Sequence, residues 1–192
     1  MDNELKLPAT DVRIPEGLNL ITLGAGCFWC VEAVFQRLQG VEKVISGYSG
    51  GFVANPTYQE ICTGTTGHAE VIQVYYDPSV ISLAELLEVF WATHDPTTLN
   101  RQGADAGPQY RSSIFYHNPE QEKLAKTIKD QLNDTKVFDD PIVTEISAFT
   151  NFYPAEEYHR DYYNQNGAQP YCQFVIKPKI DKLKKFFAER LK

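Results

Sequence analysis

A glycine turn between an apolar run and a helical pattern places a thiol near the start of this chain. Residues 20–23 are apolar and end at Gly24-Ala25-Gly26, which Cys27 follows directly. Beyond Cys27, apolar side chains recur at helical spacing until Gly40, namely Phe28, Val31, Val34, Phe35 and Leu38. The pattern predicts a strand, a tight turn and a helix, with Cys27 at the start of that helix.

The position of Cys27 favours a reactive thiol over a packed one. Unpaired backbone N–H groups and the dipole at a helix start favour negative charge, so we expect a lowered pKa for Cys27. A buried structural cysteine is the alternative. Phe28 and Trp29 cannot both point into the core from this helix, so at least one ring should line the cleft beside the thiol. Such a wall suits a small apolar group such as a methyl, with ordinary core packing as the alternative.

Cys30 follows Cys27 by three residues and completes a C-x-x-C pair. This pattern occurs in dithiol–disulfide sites and in halves of zinc sites. The other candidate zinc ligands are Cys62, His68 and His94, and their spacings match no common zinc motif. The Gly24-Ala25-Gly26 turn is similar to the beginning of a dinucleotide-binding fingerprint, but Trp29 stands where its third glycine is required. The sequence therefore excludes the dinucleotide site and leaves a zinc site as the weaker interpretation of this pair.

The remaining pattern predicts one domain of the α+β class. With 192 residues, 43% of them hydrophobic, the chain is long enough to bury a substantial core. Strands and helices interleave irregularly, which is typical of helices packed against a mixed sheet. We predict strands at residues 20–23, 41–48, 68–76, 112–116 and 142–146. We predict helices after Gly26, after Asn55-Pro56, after the capping box of Ser82 and Glu85, from Asn118 to about Leu132, from Tyr153-Pro154 to Tyr163, and along Ile180, Leu183, Phe187 and Leu191.

Three segments fall outside this regular pattern. Residues 1–19 mix charges with prolines and predict a loose N-terminal arm ahead of a domain that spans residues 20–192. Residues 95–110 lack clear periodicity, and loops of this length in compact domains are usually functional. Residues 167–171 predict a mobile link in the C-terminal tail.

The charge of the chain argues against anionic partners. Twenty-five acidic and eighteen basic residues give a formal net charge of −7, which repels phosphate backbones and anionic membranes. We expect no nucleic-acid or membrane partner. No window approaches the roughly 18 apolar residues of a membrane span, and four irregularly spaced cysteines are too few for a secreted disulfide scaffold. A cytoplasmic setting is favoured, with a removed leader as the alternative.

Glu70 is the leading candidate for a general acid. Under period-two alternation it shares a strand face with Ile72 and Val74. Apolar surroundings raise the pKa of a carboxyl group, so Glu70 would keep a proton to donate near neutral pH. A solvated or salt-bridged glutamate at a strand end is the alternative.

Two tyrosines beside loops, Tyr58 and Tyr110, are candidate hydrogen-bond donors. A phenol with an ordinary pKa is neutral at pH 7 and can donate to an oxygen in a cleft. Asp105 lies inside the long loop, where a turn aspartate is the simplest interpretation, and His68 is most simply a structural hydrogen-bonding group.

Five ordered motifs together resemble the A-type peptide methionine sulfoxide reductases: Gly26-Cys27-Phe28-Trp29, Gly67-His68-Ala69-Glu70, His94-Asp95-Pro96, Arg101-Gln102-Gly103 and Gln109-Tyr110-Arg111-Ser112. The similarity runs from about Leu20 to beyond Tyr171, which is nearly the whole chain. The resemblance implies reduction of the S epimer of methionine sulfoxide, free or in proteins; each epimer has its own repair enzyme. It implies an α+β fold, a two-layer sandwich in which helices flank a central mixed sheet, as a variant of the ferredoxin-like type. It also implies thioredoxin as reductant and no cofactor.

The resemblance assigns a role to each candidate. Cys27 would attack the sulfoxide sulfur while Glu70 donates a proton to the sulfoxide oxygen. The family pattern further implies that the phenols of Tyr58 and Tyr110 hydrogen-bond to that oxygen. It implies that the rings of Phe28 and Trp29 surround the substrate methyl, and that the Asp105 carboxylate orders the site together with a water.

The sulfenic acid left on Cys27 must condense with a second thiol, and the sequence offers two. Cys172 matches the resolving cysteine in the family's C-terminal segment. Cys30 departs from the commoner pattern, which has glycine there, although a pair this close can satisfy disulfide geometry. We favour Cys172 and keep Cys30 as the alternative, and we expect Cys62 to be a buried bystander.

Two other functions remain open from the sequence. One is a general thiol–disulfide oxidoreductase that uses Cys27 and Cys30, in which Glu70 and the tyrosines are structural. The other is a zinc-stabilised binding module. For the favoured reductase we expect a monomer.

Overall fold

The computed structural model describes residues 13–192. An N-terminal arm was predicted over residues 1–19, and its first twelve residues lie outside the described range. Within residues 13–192, the first regular element is a strand that begins at Asn19. Among residues 13–192, no helix is both long enough and apolar enough to cross a membrane.

The described residues form a six-stranded mixed sheet and a separate two-stranded ribbon. The strands of both are β1 (Asn19–Ala25), β2 (Val41–Ser49), β3 (Ala69–Tyr76), β4 (Arg101–Gln102), β5 (Asp105–Ala106), β6 (Ser112–Tyr116), β7 (Glu145–Ala148) and β8 (Tyr153–Pro154). The sheet runs in the order β7-β6-β1-β3-β2-β8, whereas β4 and β5 form a separate ribbon. The β6–β7 pair is parallel and the other pairs are antiparallel.

The helices are α1 (Phe28–Phe35), α2 (Tyr58–Cys62), α3 (Leu83–Ala92), α4 (Pro119–Asp134), α5 (Tyr162–Asn166) and α6 (Lys177–Phe186). The predicted capping box of Ser82 and Glu85 is confirmed at the start of α3. Thr57 and Glu60 form a second capping box, so α2 begins after Thr57 and not at the predicted Asn55-Pro56. Asn55 instead adopts a left-handed conformation with a φ of 48°, so it does not cap the helix as predicted.

The two faces of the sheet bury different clusters. Ile72 and Val74 of β3 face the main core, which contains the buried side chains of the helices. Ala69 and Val71 alternate with them and pack in a smaller cluster on the other side. This confirms the predicted α+β class with helices against a mixed sheet, and the alternation directs Glu70 toward α1.

The segment after β7 differs from the prediction. Residues 153–163 were expected to form one helix, but Tyr153 and Pro154 form β8, which pairs with Tyr48 and Gly47 on the edge of β2. A 3₁₀ turn (Glu157–His159) follows, and Asp161 with a φ of 51° interrupts the chain before α5. The free edge of β2 supplies main-chain hydrogen bonds that a helix would leave unused, and these bonds outweigh the helical pattern.

The boundaries of two other elements also differ from the predicted ones. The strand predicted at residues 142–146 runs from Glu145 to Ala148. The final helix ends at Phe186, and Leu191 pairs with Leu38 instead of extending it. A π turn (Cys172–Ile176) leads into α6 and buries Cys172 completely.

Gly47 permits the close docking of β8. A Cβ at this position would lie 2.5 Å from ring carbons of Phe152 and from the carbonyl oxygen of Tyr153. We predict that Gly47→Ala lowers the free energy of unfolding by about 1–3 kcal/mol, because overpacking forces the strand outward. Gly167→Ala is the matched control, since its Cβ would meet nothing closer than 3.4 Å. Urea unfolding measures both, and equal stability of the two variants would contradict the packing argument.

Candidate active site

Cys27 lies at the junction of β1 and α1, as predicted. It is the residue before the first helical turn, and its carbonyl oxygen accepts a hydrogen bond from the Cys30 N–H at 3.1 Å. Gly26 before it has a φ of +88°, and a Cβ there would lie 2.7 Å from the Gln102 side chain. The tight turn therefore requires glycine. The Cys27 side chain is 9% exposed.

Glu70 reaches α1 from the neighbouring strand. Its Oε1 accepts a hydrogen bond from the Phe28 N–H at 3.2 Å, which satisfies one unpaired donor of the helix start. The side chain is buried, and its Oε2 has no hydrogen-bond partner among the described residues. Burial raises the pKa of Glu70 to about 8, against the lowering effect of the Phe28 bond. At neutral pH the carboxyl group is mostly protonated, and Oε2 is the oxygen free to carry the proton.

The Cys27–Cys30 pair differs from the sequence expectation. Burial raises the pKa of the Cys27 thiol well above its ordinary value, and its hydrogen bond to Cys30 raises it further. The same bond lowers the pKa of Cys30 to about 7, against burial and with help from the Lys179 charge. The helix start was expected to lower the pKa of Cys27, but desolvation outweighs it. Negative charge in the pair therefore resides on Cys30, with the proton on Cys27.

Tyr58 and Tyr110 converge on Glu70 from two different elements. Tyr58 begins α2, and Tyr110 ends a 3₁₀ turn (Pro108–Tyr110). Burial raises the pKa of both phenols, and ionisation of Glu70 would raise both values further. Both side chains are therefore neutral donors. Arg111 fixes the second element, because it donates to the carbonyl oxygens of Pro108 and Gly67 at 2.9 and 3.0 Å.

Asp105 acts on the thiols through a residue that sequence reasoning missed. The Tyr171 hydroxyl donates to Asp105 Oδ2 at 2.7 Å and lies 3.7 Å from the Cys30 sulfur. Asp105 is thus part of a hydrogen-bonded chain to the thiol pair rather than an isolated turn residue. Among 11 tyrosines, the only sequence signal for Tyr171 was its place directly before Cys172.

The two rings after Cys27 differ in burial. Phe28 is fully buried and contacts Tyr48 and His159. Trp29 is half-buried, stacks on Tyr162 with ring centroids 3.7 Å apart, and meets Tyr171 edge-on. Trp29 is therefore the ring at the edge of the site, and Phe28 connects it to the core.

The other two cysteines occupy contrasting positions. Cys172 is fully buried, and the Cys30 charge contributes to its raised pKa after burial, which places the two thiols near one another. Cys62 is exposed, so the expectation of a buried bystander is wrong: the short α2 presents its last residue to solvent. All four cysteines are unpaired thiols.

The candidate zinc ligands have structural hydrogen bonds. His68 bonds to the Gly51 N–H and the Val53 carbonyl oxygen, as expected for a structural histidine. His94 bonds to the Phe90 carbonyl oxygen and to the Ser112 hydroxyl. Within residues 13–192, no group of three His, Cys, Asp or Glu side chains is arranged to hold a metal ion.

Comparison with known proteins identifies the family of this chain. A family model described as peptide methionine sulfoxide reductase matches residues 19–191. The peptide methionine sulfoxide reductase MsrA 1 of Rhodopirellula baltica is 53% identical over 182 residues, which cover 95% of this chain and 94% of that protein. The peptide methionine sulfoxide reductase MsrA of Thermus thermophilus is 51% identical over 173 residues, covering 90% of this chain and 97% of that protein.

Solved structures give the same result. The crystal structure of Mxr1 from Saccharomyces cerevisiae in reduced form superposes with a TM-score of 0.78 at 36% identity, covering 84% of this chain and 93% of that one. Mxr1 in complex with Trx2 superposes with a TM-score of 0.56 at 28% identity, covering 79% of this chain and 90% of that one. The chain therefore belongs to the peptide methionine sulfoxide reductase family and is an enzyme of its MsrA type.

Proposed function

We propose that this chain reduces the S epimer of methionine sulfoxide, free or in proteins, with Cys27 as nucleophile and Glu70 as general acid. The observation that carries the proposal is the geometry of Glu70. One oxygen is fixed by the helix start that also presents Cys27, and the other is buried with no hydrogen-bond partner in the part of the chain that the structure describes. A neutral carboxyl group beside a thiol can protonate a developing oxyanion without repelling the nucleophile.

The oxygen transfer balances within three side chains. The Cys27 sulfur attacks the sulfoxide sulfur as its proton passes to the Cys30 thiolate. The sulfoxide oxygen takes the Glu70 proton and moves to Cys27, which becomes a sulfenic acid while methionine is released. Glu70 ends as a carboxylate and Cys30 as a thiol, so protons and electrons are conserved.

The remaining candidates position the substrate. Tyr58 and Tyr110 are neutral phenols near Glu70 and donate to the sulfoxide oxygen. Trp29 lines the apolar wall that holds the substrate methyl, and the fully buried Phe28 supports this wall from the core. Asp105 orders the site through Tyr171, which also contacts Cys30.

Cys30 is the first resolving thiol in this proposal, and Cys172 is the second. Cys30 hydrogen-bonds to Cys27 and has a pKa of about 7, so the Cys30 thiol can give its proton to the sulfenic hydroxyl, which leaves as water as the Cys27–Cys30 disulfide closes. Cys172 then attacks Cys30, which returns Cys27 to its thiol. The sequence favoured Cys172 for the first step, and the bond within the thiol pair is what changes this order.

Thioredoxin closes the cycle by supplying two electrons to the final disulfide. A related protein, Mxr1, has been crystallised in complex with Trx2, which supports a reductant of this class. We further propose that the chain works as a cytoplasmic monomer, a setting in which thiols are kept reduced.

A general thiol–disulfide oxidoreductase is the second candidate. The depressed pKa of Cys30 within a C-x-x-C pair favours it. The two functions differ in their need for Glu70, because disulfide exchange transfers no oxygen.

Glu70→Gln separates the two functions. Glutamine keeps the Oε1 acceptor for Phe28 but has no acidic proton, so we predict a 10²- to 10⁴-fold lower kcat/KM for the S epimer. Wild-type kcat/KM should fall as pH rises through about 8, because the active form of Glu70 is protonated. This alkaline limb should be missing in the variant.

Assays with separated epimers make the measurement, and exchange with a small disulfide is the control. Wild type should reduce only the S epimer, and the variant should exchange with the disulfide at the wild-type rate. Wild-type sulfoxide reduction by Glu70→Gln would exclude the acid role. Equal loss in both assays would instead favour a structural role for Glu70.

Cys30→Ser and Cys172→Ser test the order of resolution. Both variants should release one equivalent of methionine, because Cys27 is intact, but Cys30→Ser should release it more slowly because the proton acceptor of the first step is lost. Cys30→Ser should then accumulate a sulfenic acid that dimedone traps, whereas Cys172→Ser should lose two hydrogens by intact mass as the Cys27–Cys30 disulfide forms. Cys62→Ser is the control and should turn over normally with thioredoxin. A trapped sulfenic acid in Cys172→Ser alone would restore Cys172 as the first resolving thiol.

A further inference from the structure

A buried histidine outside the proposed mechanism is bonded to the aromatic wall of the site. The Trp29 indole N–H donates to His159 Nδ1 at 3.0 Å, and His159 is 0% exposed. The imidazole ring packs among Phe28, Tyr58 and Tyr158, with ring centroids 5.0, 4.6 and 4.0 Å away. His159 therefore contacts both rings after the nucleophile and one phenol of the site.

The bond to Trp29 fixes the state of the imidazole. Since Nδ1 accepts a hydrogen bond, it carries no proton, and the neutral tautomer has its proton on Nε2. Nε2 has no hydrogen-bond partner among the described residues, and Glu156 Oε2 lies 3.6 Å from it. Burial lowers the pKa of His159, which keeps the ring in this acceptor form.

Glu156 connects the same turn to the other side of the site. Its Oε1 accepts from the Tyr48 hydroxyl at 3.1 Å. Its Oε2 accepts from the Tyr58 backbone N–H at 3.3 Å and from the Tyr158 hydroxyl at 3.2 Å. Glu156 thus fixes the start of α2, where Tyr58 is located, while His159 fixes Trp29 on α1.

Strand β8 places this turn. Its pairing with β2 continues through the Ala155 N–H, which donates to the Ser46 carbonyl oxygen at 2.9 Å. The 3₁₀ turn that follows directs His159 inward between α1 and α2. The docking that overrode the predicted helix therefore has a consequence for the site.

We propose that Glu156 and His159 are positioning residues for sulfoxide reduction. Together they form a bracket that holds the Trp29 ring against the substrate methyl and Tyr58 against the sulfoxide oxygen. This inference rests on the proposed function, because it assumes that Trp29 and Tyr58 contact the substrate. Neither bracket residue touches the reacting atoms; both act through the side chains they hold.

Two substitutions of His159 separate the hydrogen bond from the packing. His159→Phe keeps a ring but has no acceptor, whereas His159→Asn places an amide oxygen where Nδ1 was. We expect KM for the S epimer to rise about tenfold in His159→Phe, the effect of losing about one hydrogen bond. His159→Asn should recover most of this loss.

The indole N–H signals report the bond directly. The chain has two tryptophans, and Trp91 donates to the Thr144 hydroxyl at 3.1 Å, far from the bracket in sequence. In a ¹H–¹⁵N spectrum, His159→Phe should shift the Trp29 indole signal and leave the Trp91 indole signal in place. His159→Asn should return the Trp29 signal toward its wild-type position. If His159→Phe does not fold, His159→Gln, whose amide reaches the Nε2 position instead, takes its place.

Trp29→Phe distinguishes failure of the inference from failure of the proposed function. If Trp29→Phe raises KM and His159→Phe shifts the indole signal without changing KM, the positioning role is wrong and the proposed function stands. If Trp29→Phe leaves KM unchanged, the assigned role of Trp29 fails, and the inference fails with it. A raised KM in both single variants with no further rise in the double variant supports the bracket.

Discussion

The hydrogen bond from the Phe28 N–H to Glu70 is the interaction on which the site depends. It joins the first turn of α1 to strand β3, so the helix that presents Cys27 and the strand that presents the acid are fixed together. It also uses one carboxyl oxygen, while the other is buried and has no hydrogen-bond partner within residues 13–192. Burial outweighs this bond in setting the pKa of Glu70, and a protonated oxygen beside the nucleophile is the result.

The charge distribution around this bond has a clear order. Glu70 is neutral, Cys30 carries the negative charge of the thiol pair, and Cys27 holds a proton that it can transfer as it attacks. A charged Glu70 would raise the pKa of Cys27 further. The burial that makes Cys27 a weak acid therefore also makes Glu70 a proton donor. Cys30 compensates for the weak acidity of Cys27, because its thiolate can accept the Cys27 proton.

Sequence reasoning reached the features that local pattern controls. The glycine turn predicted the position of Cys27, and period-two alternation predicted the burial of Glu70. It failed where distant segments compete: the edge of β2 converts residues 153–154 into a strand, and the partners of Tyr171 and His159 lie 66 and 130 residues away. The pKa of Cys27 was also out of reach, because desolvation depends on the whole packed site rather than on one helix start.

The protonation state of Glu70 is the most direct measure of this account. An infrared difference spectrum between wild type and Glu70→Gln isolates the carbonyl stretch of its protonated carboxyl group. The band should be present at neutral pH and should disappear as pH rises through about 8. A band already absent at neutral pH, with titration near the ordinary glutamate value of about 4.3, would contradict the role of Glu70 as the proton donor.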